Sequence, residues 1–350
     1  MVPGRRRGPT AAAVAIVLLL AGCAGPAADR VGSPDAGPTT TAEATPAAAP
    51  AEEPLAPGRP ALVTVVVANV WNAPAQARPV DAPSLGNPVD IDGWIAAMSH
   101  TDKLWLVDHL LTQALYGERV RVEELRGDWA RVVVTGQPSH LDPAGYPGWI
   151  PTVQLRAGEL PATATWAVVH RKEATLRAGA PIELSYNTRL PVVAKRGDDV
   201  TVALPTGERG VLAAGDVVVA APGPRPASPE DIVAGARQFS GLPYLWAGTS
   251  SAGFDCSGFT AAVYGVHGIV LPRDADDQAG VGTPVDRSAL QPGDLLFYGS
   301  STDQRSIHHV SMYVGNGMMI QAPATGRTVE TVPVDTPSYV RQFWGARRYL

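Results

Sequence analysis

The chain has 350 residues, 45% of them hydrophobic and only 17% charged, which is enough apolar material for two or three modest cores and too little charge for a disordered polymer. Glycine (36) and proline (33) make up about a fifth of it, against ~12% on average, which argues for many turns and a linker and against a mainly helical protein. The net charge of −5 becomes −8 once an acid-free leader carrying Arg5, Arg6 and Arg7 is removed, and that balance disfavours a nucleic acid partner.

The apolar run from Ala11 to Leu20 is too short to span a bilayer as a helix but fits the core of a secretory signal. It ends in Leu20-Ala21-Gly22-Cys23, which resembles a bacterial lipobox, so residues 1–22 are expected to be a lipoprotein signal peptide and Cys23 the lipid-bearing first residue. The expected location is the outer face of the cytoplasmic membrane. Cys256 is then left without a disulfide partner, and a lone thiol in an exported chain is either reactive or a buried structural group. Residues 23–58 are Ala-, Pro- and Thr-rich with almost no large apolar side chain, and they read as a disordered tether.

Short β-branched runs follow, at Leu62 to Val67, Val120 to Val122 and Ala130 to Val134. Gly, Asp and Pro turns separate them, as in a small antiparallel barrel. A second set runs from Trp166 to Val219. The two sets echo each other weakly, Gly127-Asp128-Trp129 against Gly197-Asp198-Asp199, and Gly148-Trp149-Ile150 against Gly210-Val211-Leu212. The pattern resembles paired bacterial SH3 domains, expected at 59–160 and 161–221. An insertion at about 80–115 carries Leu104, Val107 and Leu111 at helical spacing, which predicts a short helix.

Pro222, Pro224 and Pro226 mark a linker, and Ser228-Pro229-Glu230-Asp231 reads as a helix start, so the last domain is expected over 222–350. Between Gly253 and His267, Phe259, Ala262, Val263 and Val266 predict a helix with one apolar face. Cys256 falls in its first turn, where the dipole favours thiolate and lowers the thiol pKa, with Asp255 opposing. A thiolate acting on an amide needs a proton donor for the leaving nitrogen, usually imidazole. Of seven histidines, His308 and His309 open a strand whose Val310, Met312 and Val314 form one buried face. A three-residue loop at Gly315-Asn316-Gly317 would set Ser311 opposite Gln321 and place Gln321 on the His309 face, where its amide can orient the ring. A two-residue loop would set them on opposite faces.

Gly241-Leu242-Pro243-Tyr244-Leu245-Trp246, Phe254-Asp255-Cys256-Ser257-Gly258-Phe259, Leu271-Pro272-Arg273, Gln291-Pro292-Gly293-Asp294-Leu295 and His309-Val310-Ser311-Met312-Tyr313-Val314-Gly315-Asn316-Gly317 occur in the order of the NlpC/P60 cysteine peptidases, which the region 228–350 resembles. The resemblance implies an α+β protein in which two small SH3-like barrels precede a papain-like catalytic domain. Cys256 would be the nucleophile, His309 the base and Gln321 the third polar residue, where histidine is more usual. Ala247 stands where glycine is usual. The implied substrates are peptidoglycan stem peptides cut at the γ-D-glutamyl-diamino acid amide. Tyr116-Gly117-Glu118 and Gly145-Tyr146-Pro147-Gly148-Trp149 resemble the first SH3 domain of the subgroup that requires a free N-terminal L-alanine, which implies a pocket closed by Glu118 and Tyr146 with Tyr244, Asp255 and Ser257. An ammonium buried there needs carboxylate and hydroxyl partners.

No cofactor is expected, and no metal, since neither C-x-x-C nor H-E-x-x-H occurs. A non-catalytic wall-binding scaffold and an acyltransferase using the same Cys/His pair are the alternatives. A monomer is expected, meeting the membrane through its N-terminal lipid.

Overall fold

The computed structural model describes residues 53–350. The signal at 1–22, Cys23 and the tether as far as residue 52 lie outside the described residues. The end of the tether departs from expectation. Leu55 packs against the first core and the Gly58 N–H donates to the Val122 carbonyl at 2.7 Å, so ordered chain begins before residue 59.

The first unit contains β1 (Pro60–Val63), β2 (Val67–Trp71), helices α1 (Ile91–Ala97) and α2 (His100–Trp105), and then β3 (Leu110–Leu115), β4 (Arg119–Arg126), β5 (Trp129–Val134), β6 (Tyr146–Pro151) and β7 (Leu155–Ala157). Its sheet runs β3-β2-β6-β5-β4-β1-β7. The single run expected at 62–67 is split by a corner: β1 pairs with β4 and β7, and β2 with β3 and β6. One apolar stretch thereby closes both sides of the barrel.

The helical stripe expected through Leu104, Val107 and Leu111 is corrected. α2 ends at Trp105, Leu104 is 48% exposed and Leu111 lies in β3. Asp108 takes a left-handed φ of 65°, which stops the helix, and pairing with β2 claims the following residues. The insertion instead buries Ile91, Trp94, Met98 and Leu106.

The second unit contains β8 (Trp166–Val169), β9 (Glu173–Leu176), β10 (Ile182–Ser185), β11 (Arg189–Arg196), β12 (Asp199–Ala203), β13 (Arg209–Ala213) and β14 (Val217–Ala220). Five of these strands form the sheet β13-β12-β11-β8-β14, and β9 and β10 form a hairpin beside it. The internal echo now has a physical basis. Gly127 and Gly197, at φ 57° and 56°, make the β4–β5 and β11–β12 turns. A Cβ on Gly148 would lie 2.4 Å from a Val70 methyl, and one on Gly210 2.6 Å from a Leu176 methyl. In each barrel a glycine strand lets the opposing layer approach.

The third unit starts with α3 (Pro229–Arg237), capped by a reciprocal Ser228–Asp231 box. It continues through β15 (Thr249–Ser250), β16 (Gly253–Phe254), α4 (Cys256–Val266), α5 (Ala275–Ala279), β17 (Thr283–Val285), β18 (Leu295–Gly299), β19 (Ile307–Gly315), β20 (Met318–Gln321), β21 (Glu330–Pro333), α6 (Pro337–Gln342) and β22 (Phe343–Arg348). The sheet order is β17-β22-β18-β19-β20-β21, an antiparallel layer with α4 packed across β19. The mixture is α+β.

The units share cores. Leu245 and Ala247 join Trp71, Trp94 and Trp149 of the first barrel, and Tyr186 of the second packs edge-on to Phe239 at 5.0 Å. Because Gly148 has no room for a methyl, Gly148→Ala should destabilise the protein by ~1–3 kcal/mol, read as a lower urea midpoint. An unchanged midpoint would mean that the β2–β6 contact is slack.

Candidate active site

Asp255 caps α4, its Oδ1 accepting from the Gly258 N–H at 2.7 Å, so Cys256 sits in the first turn as the sequence places it. The residue is only 9% exposed. Burial, and then the neighbouring Asp255 carboxylate, push its thiol up to about 12, although the Val310 and Ser257 N–H groups and Arg273 pull the other way. The expectation of a thiol lowered by the helix terminus is therefore corrected: desolvation outweighs the dipole.

His309 lies on β19 beside Val310, whose backbone N–H meets the Cys256 thiol. The His309 Nε2 lies 2.7 Å from Gln321 Oε1, which leaves Nδ1 as the nitrogen not engaged by Gln321. The Tyr298 and Tyr339 rings, 5.1 Å from each other, lie 5.6 and 6.0 Å from the His309 ring. Burial lowers the imidazole to about 4. Thiol and imidazole are thus both held neutral at rest by the same cause.

The hairpin that joins His309 to Gln321 differs from the expected one. Gly315 pairs directly with Met318, and Asn316 and Gly317, at φ 53° and 71°, form a two-residue turn of the kind that suits right-twisted strands. A bulge between Tyr313 and Gly315 adds the missing residue. The strand therefore keeps the Met312–Ile320 register that a three-residue loop would give, and Gln321 stays on the His309 face.

Arg273 was legible only as part of a motif and carries more than the motif assigns. It is 3% exposed, and it donates to Asp255 Oδ2 at 2.6 Å and Oδ1 at 3.2 Å, to Ser257 Oγ at 2.9 Å and to Thr112 Oγ1 of the first barrel at 2.8 Å. Asp255 is thus already paired, which corrects its reading as an acid awaiting a ligand. Tyr244 lies beside it, its phenol pushed up by burial, Cys256 and Asp255.

The two barrel residues part company. Tyr146 reaches the site, its hydroxyl donating to Asp274 Oδ1 at 3.4 Å. Glu118 accepts from the Leu115 N–H at 2.9 Å and from Gln137 at 3.2 Å, and it lines a separate cavity of about 370 Å³ between the barrels and the flank of α4. Glu118 as a wall of the cleft is corrected. The acid beside Tyr146 is Asp274, which the sequence reading missed. Burial pushes its carboxyl up, and its neighbours are Arg273, Asp255 and Tyr146. An acid directly after a motif arginine was the available signal.

Among the described residues, His140, Asp276 and Asp277 have metal-like proximity, but Arg305 bonds both carboxylates at 2.6 and 2.7 Å and leaves little charge for an ion.

Residues 241–348 match the NlpC/P60 family and 169–219 the YKFC SH3b2 domain. A gamma-D-glutamyl-L-lysine dipeptidyl-peptidase of Bacillus cereus is 42% identical over 303 residues, 83% of this chain and 91% of that protein. One of Bacillus subtilis is 38% identical over 291 residues, 82% and 97% of the two chains. The chain belongs to the NlpC/P60 family. A crystal structure of a Bacillus cereus NlpC/P60 family protein, 40% identical, superposes with a TM-score of 0.79 over 83% of this chain and 99% of that one. As an NlpC/P60 protein it is a hydrolase of the cysteine peptidase type.

A base lowered to about 4 stays neutral until the pH falls that far. The acid limb of kcat/KM should therefore lie well below the ordinary imidazole value of 6.5, with activity retained through pH 6 and lost as pH drops through about 4. A limb near 6.5 would show a solvated ring.

Proposed function

We propose that the protein removes dipeptides from free peptidoglycan stem peptides by cutting the γ-D-glutamyl-diamino acid amide, with Cys256 as nucleophile, His309 as base and Gln321 as orienter. His309 Nδ1 takes the thiol proton as sulfur attacks the carbonyl, and the imidazolium returns it to the departing amine. Water, activated by the same ring, then releases the acyl group. The Tyr244 phenol, kept protonated by burial, and the Cys256 N–H at the helix start are the donors for the oxyanion.

The observation that carries the substrate reading is the charge count beside the thiol. Asp255 and Asp274 bring two carboxylates and Arg273 one guanidinium, whose four side-chain hydrogen bonds go to Asp255, Ser257 and Thr112. Asp274 is left with the Tyr146 hydroxyl. One cation is missing, and the ammonium of an unblocked L-alanine would supply it. The two relatives bear names that specify dipeptide release from γ-D-glutamyl-L-lysine substrates, which supports the same reading. We further propose that the protein works outside the cell, anchored through lipid on Cys23.

L-Ala-γ-D-Glu-L-Lys should be cleaved at least ~100-fold faster, by kcat/KM, than its N-acetylated twin, with products read by mass. Asp274→Asn should erase most of that difference by slowing the free peptide, since a buried charged partner is worth ~2–3 kcal/mol. Equal turnover of the two peptides by the natural protein would sink the ammonium pocket. Separately, Cys23→Ala should abolish incorporation of labelled fatty acid and release the protein from membranes; unchanged labelling would reject the anchor.

A further inference from the structure

We propose that Glu330 is a positioning residue for the reaction: acting through Gln321, it fixes the tautomer of His309 and supplies the negative charge that an amide in third position lacks. The inference rests on the reading of Cys256 and His309 as nucleophile and base.

Glu330 opens β21 directly opposite Gln321. The Gln321 Nε2 group donates one hydrogen to Glu330 Oε1 at 3.1 Å and the other to the Tyr339 hydroxyl at 2.6 Å, while its Oε1 meets His309 Nε2. A carboxylate only accepts, so the amide cannot turn over without setting two oxygens against each other. With Oε1 fixed towards the ring, His309 Nε2 must be the protonated nitrogen and Nδ1 the bare one. That is the tautomer able to take a proton from the thiol. Gln321 is wholly buried, so water does not relax the constraint.

The second part is electrostatic. A neutral amide orients the ring but cannot share the charge that forms when His309 is protonated, and Glu330 lies one side chain further along the same line. The titratable groups acting on His309 are Asp255, His308 beside it and Glu330 behind Gln321, and the Tyr298 and Tyr339 rings pack together against it. Of the two acids, Asp255 is bound by Arg273. Glu330 keeps Oε1 for the relay and gives its other oxygen to Arg327 at 2.6 Å.

The test uses the full chain and begins with the 15N shifts of the His309 imidazole at pH 7. The natural protein should show a protonated Nε2 and a bare Nδ1; the opposite tautomer would overturn the proposal without any variant. Glu330→Gln removes the charge and lets the amide turn either way. It should mix the tautomers and lower kcat ~10-fold on L-Ala-γ-D-Glu-L-Lys at unchanged KM, because the imidazolium forms only along the reaction path. Glu330→Asp should restore much of both. Glu330→Gln with the natural tautomer and kcat would refute the role, as would a loss confined to KM. Cys256→Ala is run alongside: if it still turns over, the nucleophile reading fails, and if it is dead while Glu330→Gln is unchanged, only the present inference does.

Discussion

One guanidinium sets the geometry on which the rest depends. Arg273 binds both oxygens of Asp255, the hydroxyl of Ser257 and, from the other side, Thr112 of the first barrel. Asp255 in turn caps α4. The residues on either side of Cys256 are therefore held by one buried cation. A buried ion pair of this kind adds little net stability, but taking away one partner leaves a stranded charge at a cost of ~3–5 kcal/mol. Its value here is positional. It also explains how a carboxylate is tolerated beside a nucleophilic sulfur, since most of its field is spent on Arg273.

That arrangement places the thiol and imidazole where burial keeps both neutral. On the proposed mechanism, charge separation is deferred until a substrate is present, and no ion pair is held at rest. Forming the charges in a buried site adds to the barrier, so the site must hold donors and charges already placed to stabilise them as they develop. An exposed, unpaired thiolate is open to oxidation, and a buried neutral thiol is far less so.

Much of this was legible in the sequence because it rests on local rules. The Ser228 cap, the apolar face of α4, the alternation along β19 and the glycine echo between the barrels follow from spacing and turn chemistry alone. What failed were readings that required knowing the neighbour. Leu111 has helical spacing from Leu104 but sits in a strand because β2 lies beside it. The thiol shift had the wrong sign because a helix terminus can be read from sequence and the depth of its burial cannot. The bulge at Val314 is invisible in the sequence, yet it preserves the register by a different route. Glu118 and Asp274 are both acids near a motif, and only packing decides that Tyr146 reaches the second. Ala247 shows the reverse case: its φ of 63° gives a physical reason for the glycine that the family resemblance led one to expect there.

The barrels belong to the mechanism of selection as much as to the fold. The strand carrying Tyr146 follows a loop that is tied to the catalytic unit twice: the Pro138 carbonyl accepts from the Arg273 N–H at 2.9 Å, and both the backbone and the ring of His140 meet Asp277 at 2.9 Å. A tyrosine delivered on a tether bound to the same arginine that orders the nucleophile turn cannot swing aside without disturbing that turn. On the proposed reading, a peptide whose amino end stops at Tyr146 and Asp274 would present the same bond to the sulfur each time, so the wall that reads the free amine would also set the length of the product released.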